Sequence, residues 1–520
     1  MTVFCAAAPL YDGSGGPPVV RDLALQGDRI AEIGAPGTLS GQQQLDVSGL
    51  AVAPGFINMM CWAVESLIED GRSQSDIRQG VTLEVMGEGF SMGPLSDAMR
   101  ARGVRGLLGS DDIEYEVVWT TLAEYLDHLV ARGVSPNVAS FVGTSTLRIH
   151  EVGYDDRPPT AQELDAMCQL VRQAMADGAL GLSSALIYPP ASYAQTDELI
   201  ALARAAAEYD GIYISHLRSE GQRFYEALDE FLTIVRETGI RAEIYHLKAA
   251  GRRNWDKMDD VIRRVEAAQA QGLAITADMY TYTASGTGLE ACLPPWVHDG
   301  GHDALLARLR DPATRERIVQ DMNTPDTAWE NMWLEVQGAE NIILGGFKEE
   351  RNKTHTGKTL AQVAAERGQE PIQTLFDLLV DDGGRIFAMY FSMSEENVRK
   401  QIALPWVSFC SDAESLAPEG VFLKSNPHPR AYGSFARLLG RYVRDEQIIP
   451  LEEAVRRLAA LPASVLKIKK RGVLRPGYFC RRGGLRPGPG RGQGDLCAAA
   501  PVRRRHAACL RQRHAGAGGR

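Results

Sequence analysis

Gly211-Ile212-Tyr213-Ile214-Ser215-His216 and Arg241-Ala242-Glu243-Ile244-Tyr245-His246 are two short runs of β-favouring residues that each stop on a histidine, thirty positions apart. About thirty residues is the length of one strand, a crossover helix and the next strand. The two imidazoles therefore belong at equivalent ends of adjacent parallel strands, the edge at which α/β folds carry their chemistry. A matched pair of strand-end histidines points to a bound metal ion, because neutral imidazole is the commonest metal ligand among side chains.

The same alternation extends to both sides of this unit. Apolar strand-like runs fall at 52–59, 81–86, 138–142, 179–186, 212–215, 242–245, 273–279 and 407–410, with helical periodicity between them, as in 197–209 and 220–238. Eight such strands predict an α/β fold, a (β/α)8 TIM-like barrel over residues 51–470. The interval between strands seven and eight is too long for a loop. Its stretch at about 290–346, rich in helix formers, tryptophan and charge, reads as a lid insertion beside the catalytic face. Residues 1–50 alternate apolar and polar positions between turns such as Tyr11-Asp12-Gly13-Ser14-Gly15-Gly16, which predicts the N-terminal part of a small β-sandwich.

A chain of 520 residues with 44% apolar and 23% charged residues can bury one large core with appendages. The net charge of −10 argues against nucleic-acid or anionic-membrane partners, and no run approaches the length of a membrane span. Residues 1–10 are apolar but lack the basic start of a signal peptide. Eight cysteines lie far apart with no CxxC pair, as expected of reduced thiols in a cytoplasmic protein.

After Phe479 the composition breaks. The last forty residues hold ten arginines, no lysine and one acid, Asp495. A shifted reading frame explains this better than a basic tail. With plausible codons for residues 480–487, starting one base later gives ADVVVFDP, an alternating strand, and the shifted frame continues to a second strand, RHVFVNG. Residues 471–520 would then be the C-terminal segment of the sandwich, out of frame from about 480. Sequencing the gene across the Phe479 codon tests this, and a single intact frame matching close relatives would contradict it.

The stretch Val52-Ala53-Pro54-Gly55-Phe56-Ile57-Asn58 resembles the first barrel strand of the amidohydrolase superfamily, which usually continues into His-x-His. Here those positions are Met60 and Trp62, neither of which replaces a zinc-binding imidazole, so the usual binuclear site cannot form in that way. Further motifs sharpen the resemblance. Gly80-Val81-Thr82, Gly87-Glu88-Gly89-Phe90-Ser91-Met92-Gly93-Pro94-Leu95, Gly181-Leu182-Ser183-Ser184-Ala185-Leu186-Ile187-Tyr188-Pro189-Pro190, Ser215-His216-Leu217-Arg218-Ser219-Glu220 and Tyr245-His246-Leu247-Lys248-Ala249-Ala250-Gly251 occur in order. Together they resemble the D-aminoacylase (N-acyl-D-amino-acid deacylase) family over the chain up to about Phe479.

That resemblance implies one zinc ion held by a cysteine after strand two and by His216 and His246. Aligned from Pro94-Leu95, the cysteine's position is Glu88. A carboxylate keeps the single negative charge, and two imidazoles with one carboxylate leave a fourth position open, as catalytic zinc requires. Asp412 resembles the strand-eight aspartate that serves as general base. Arg430, in Pro427-His428-Pro429-Arg430, resembles the arginine that pairs with the substrate α-carboxylate, a task suited to a planar bidentate donor. Lys248 could assist it, Tyr188 is placed to donate to the developing oxyanion, and Tyr280, Tyr282 and Ser285 resemble residues of the carboxylate pocket. His428, between prolines, reads as structural.

The implied activity is zinc-dependent hydrolysis of the amide of a small N-acyl-D-amino acid. Two alternatives stand beside it. One is a cyclic-amide hydrolase of the dihydroorotase-like type, whose sites use His-x-His and a strand-four lysine absent from 179–186. The other is a barrel that binds a ligand without catalysis.

Overall fold

The computed structural model describes residues 2–102, 112–325, 328–479 and 482–485. Phe56–Asn58, Val81–Met86 and Asn137–Ser140 form one parallel sheet; Val142–Gly143, Gly181–Ala185, Ile212–His216, Arg241–Ile244, Ile275–Met279 and Val407–Phe409 form another. The third strand belongs to both, interrupted at Phe141. The eighth returns to the first where the Met59 N–H donates to the Phe409 carbonyl and the Asp412 N–H to that of Met60, at 3.4 and 3.1 Å. These contacts close a (β/α)8 barrel, the fold class expected from the eight apolar runs, except that the first run, 52–59, divides at Gly55: Ala51–Pro54 joins the small domain's sheet and only Phe56–Asn58 enters the barrel.

The crossover between the two histidine strands shows how sequence sets the site. In helix Phe224–Thr238, Phe224, Ala227, Leu228, Phe231, Leu232 and Val235 recur at three- and four-residue spacing and are all buried. Gly239, with φ of +66°, ends the helix in the left-handed conformation that glycine adopts freely. The chain then returns in parallel register, Ile212 opposite Arg241 and Ser215 opposite Ile244. Neighbouring strands lie about 4.8 Å apart, so His216, and His246 one residue beyond the level of His216 in this register, leave the same edge.

Thr2–Leu10, Val19–Gln26, Arg29–Gly34, Gln43–Leu45, Ala51–Pro54 and Arg482–Leu485 build a six-stranded sheet with its own core, including Cys5, Leu10, Leu23, Leu25, Ile30 and Val52. Among the described residues this small domain is one sheet, not two stacked ones. The later strand of the shifted frame falls within residues 486–520, outside the described residues. Arg482–Leu485 pairs antiparallel with Ala51–Pro54. Arg-Gly-Gly-Leu is a weak strand, since glycine contributes no packing and loses the most backbone freedom. The shifted frame sets three valines and a phenylalanine on these same four positions, beside buried Ala51, Val52 and Ala53. Each such side chain that becomes buried adds about 1.5–3 kcal/mol. A chain carrying ADVVVFDP and the remainder of the shifted frame is therefore expected to melt several degrees higher by calorimetry; an unchanged melting temperature would show those strands to be dispensable.

Between strands seven and eight lies a module larger than the expected 290–346. Ser285–Gly288, Ile342–Gly346 and Phe387–Tyr390 form a three-stranded antiparallel sheet. Helices His302–Arg310, Pro312–Met322, Leu360–Arg367 and Pro371–Asp382 accompany it, around a separate core with Leu305, Leu309, Ile342, Leu344, Leu375 and Leu379. Ser285-Gly286-Thr287-Gly288 has no apolar alternation, and its partner strand stands about a hundred residues away, so local pattern does not announce this sheet.

Candidate metal centre

Glu88 reaches the barrel mouth because of two glycines. Gly87 has φ of +103°, and a Cβ there would lie 2.6 Å from the Phe141 carbonyl; at Gly89, φ +62°, it would lie 2.6 Å from the Ala185 Cβ. Only glycine lets the chain turn this tightly against strands three and four. The turn aims one Glu88 oxygen, Oε1, at both histidines: 3.1 Å from His216 Nδ1 and 2.8 Å from His246 Nε2. The imidazole centroids are 4.4 Å apart with the planes near perpendicular. All three side chains are buried, and their ligand atoms lie within 4.8 Å of one another, the one such group among the described residues.

Glu220 closes the rear of this cluster. Its Oε1 is 3.1 Å from His246 Nδ1, its Oε2 is 3.5 Å from His216 Nε2, and both oxygens accept from Lys248 Nζ, at 2.6 and 2.8 Å. The far nitrogen of His246 is contacted by Glu220 and, at 2.7 Å, by Lys248 Nζ, whereas the far nitrogen of His216 has no hydrogen-bond partner among the described residues. Burial disfavours charge on both acids, yet the imidazoles hold Glu88 well below the carboxylate range, and His216, Lys248 and His246 hold Glu220 down at about 2. Burial and Lys248 press His246 down, but Glu220 and Glu88 together carry it up to about 10. His216 moves the other way: burial first, then His246 and Lys248, hold its pKa below the ordinary imidazole value against Glu220 and Glu88. Two neutral-capable nitrogens, one carboxylate oxygen and a second carboxylate behind them fit a divalent zinc ion.

Asp412 follows strand eight and, like His246, holds a left-handed φ, +47° and +31°. Such strain in a residue with a β-carbon persists where surrounding contacts fix it. The His246 N–H donates to Asp278 Oδ1 at 2.8 Å. Asp412 is fixed from both sides: the Trp62 indole donates to Oδ1 at 3.2 Å, and Arg430 Nη1 lies 2.5 Å from Oδ2. Burial raises its pKa, opposed chiefly by Arg430. Arg430 also donates from Nη2 to the Gly286 carbonyl, while its buried Nε and Nη1 have no hydrogen-bond partner among the described residues, the Nη1 contact with Asp412 being an ion pair. His428 steadies this arginine, accepting from the Arg430 N–H and facing the Ala284 carbonyl at 2.9 Å, a structural role in keeping with its sequence setting.

A cavity of about 630 Å³ opens above the cluster. Glu88, Tyr188, His216, His246, Lys248, Tyr280, Ser285, Asp412 and Arg430 line it, together with Trp62 and with Leu293, Phe347 and Arg385 of the inserted module. Tyr188 stands edge-on to His216, centroids 5.5 Å apart. Burial and the nearby Glu88 carboxylate push its hydroxyl above the ordinary phenol range, so it is protonated at neutral pH. Tyr280 contributes its ring face, beneath the Arg430 guanidinium at 4.6 Å, while its hydroxyl turns to Met393 Sδ. Tyr282 does not line the cavity: its ring packs against His428 and under Arg437, the chain bending at Thr281 and Thr283 after strand seven.

No protein-family model matches the chain. It is 33% identical over 478 residues to the D-aminoacylase of Alcaligenes xylosoxydans xylosoxydans, a match spanning 92% of this chain and 86% of that protein. The chain belongs to the D-aminoacylase family. The N-acyl-D-glutamate deacylase of the same organism is 30% identical, over 90% of this chain and 84% of its own. Among solved structures, the N-acyl-D-glutamate deacylase of Bordetella bronchiseptica, complexed with zinc and a phosphonate mimic of the tetrahedral intermediate, superposes with a TM-score of 0.77 and 29% identity, covering 95% of this chain and 92% of that one.

Two neighbours in this D-aminoacylase-family site carry no role in the sequence reading. Glu220 stands four residues after His216, close enough on the same loop to have been suspected as its partner. The Trp62 contact with Asp412 joins residues 350 positions apart, and nothing local signals it.

Proposed function

We propose that this D-aminoacylase-family chain hydrolyses the amide of N-acyl-D-amino acids to a carboxylate and the free D-amino acid, using one zinc ion held by Glu88, His216 and His246. The observation that carries this reading is the convergence of those three buried donors at one point of the cavity wall. Zinc, when bound in such a set, acts as a Lewis acid and makes water a nucleophile at neutral pH.

The chain's own residues do the rest. Asp412 accepts the proton of the attacking water and returns it to the leaving nitrogen. Tyr188 donates its hydroxyl to the carbonyl oxygen as negative charge grows there. Arg430, which lines the cavity, binds the substrate α-carboxylate with Ser285, and Lys248 adds positive charge from the strand-six side. Tyr280 walls the pocket. The inserted module is read as a lid that helps exclude water, a reading supported by Leu293, Phe347 and Arg385 of that module lining the cavity.

Met60 carries only a thioether and the Trp62 indole N–H is bonded to Asp412, so neither replaces an imidazole for a second ion, which supports a count of one zinc per chain. Assay of zinc-loaded protein on matched N-acetyl-D- and N-acetyl-L-amino acids is expected to give hydrolysis of the D series only. Equal rates on both series would overturn the D assignment, and no amide hydrolysis in zinc-containing protein would favour a binding scaffold.

A further inference from the structure

Resting on the reading of Asp412 as general base, we infer that Trp62 is a positioning residue that sets the orientation of the Asp412 carboxylate through its indole N–H. The bond runs from Trp62 Nε1 to Oδ1, while Arg430 approaches Oδ2. An arginine acting alone would draw the carboxylate toward itself. The second donor, on the other oxygen, turns a one-sided ion pair into a two-point fixture. Indole nitrogen only donates, so Oδ1 is committed as an acceptor and the plane of the carboxylate is set.

The surrounding backbone holds this contact in register. The Trp62 N–H donates to the Ala413 carbonyl at 2.9 Å, and the Asp412 N–H to that of Met60 at 3.1 Å. The ends of strands one and eight are therefore laced on both sides of the carboxylate, with Asp412 in its left-handed conformation between them. Trp62 also lines the cavity, so its ring serves as wall and its N–H as clamp. Phenylalanine keeps the wall and removes the clamp.

The test is a double-mutant cycle of Trp62→Phe and Asp412→Asn, with kcat, KM, zinc content and melting temperature measured for each. Loss of one hydrogen bond to a carboxylate that must be aligned in the transition state is expected to lower kcat about 10- to 100-fold in Trp62→Phe. KM should stay within about twofold, with zinc content unchanged. In the Asp412→Asn background the same substitution should cost nothing further. The inference is overturned by a Trp62→Phe kcat within about twofold of wild type, by an equal loss in both backgrounds, or by a loss that follows zinc content or melting temperature. Normal turnover by Asp412→Asn would instead overturn the reading of Asp412 as the base, and this inference with it.

Discussion

Asp412→Asn is expected to lower kcat by about 10²- to 10⁴-fold, the range typical of losing a general base. The substitution nearly preserves shape, and the asparagine carbonyl can still accept from Trp62. What disappears is the capacity to take a proton from water and the negative charge beside Arg430 Nη1. That buried arginine then loses its counter-charge, and breaking a buried pair costs about 3–5 kcal/mol. A lower melting temperature should accompany the kinetic loss. Zinc should remain, because Asp412 lies outside the Glu88, His216 and His246 group. Turnover near the wild-type rate, with metal present, would remove Asp412 from the chemistry.

Glu88→Ala is expected to empty the centre of zinc and abolish hydrolysis. The substitution removes the anionic donor that faces both imidazoles and leaves two neutral nitrogens, short of the three protein ligands a catalytic zinc site uses. Glu220 cannot readily replace it, because it lies on the opposite nitrogens of both rings and is bound by Lys248. Glu88→Cys, which restores a single negative charge on a good zinc ligand, should recover metal and a measurable part of the activity. Unchanged zinc in purified Glu88→Ala would rule out ligation by this residue.

The eight barrel strands and the paired histidines were legible because each is a local signal: an apolar run of four to eight residues, a helical period between runs, a polar residue at the strand end. Glu88 was legible only through the glycine-rich motif around it, whose Gly87 and Gly89 are required by the close approach of strands three and four. The inserted sheet was not legible, since Ser285–Gly288 pairs with Phe387–Tyr390 across a long sequence gap and shows no strand pattern of its own. Tyr280 and Tyr282 look equivalent in sequence, but the first faces the cavity and the second packs behind His428. The same limit applies to Trp62: its place against Asp412 depends on barrel closure between strands one and eight, which no window of sequence contains.

Titration of metal-depleted protein with zinc, monitored by release of free D-amino acid from an N-acyl-D-amino acid, tests the centre most directly. Activity should rise in proportion to zinc up to one equivalent per chain and then hold level. Absence of hydrolysis at every zinc level, or a rise that continues to a second equivalent, would contradict a single ion held by Glu88, His216 and His246.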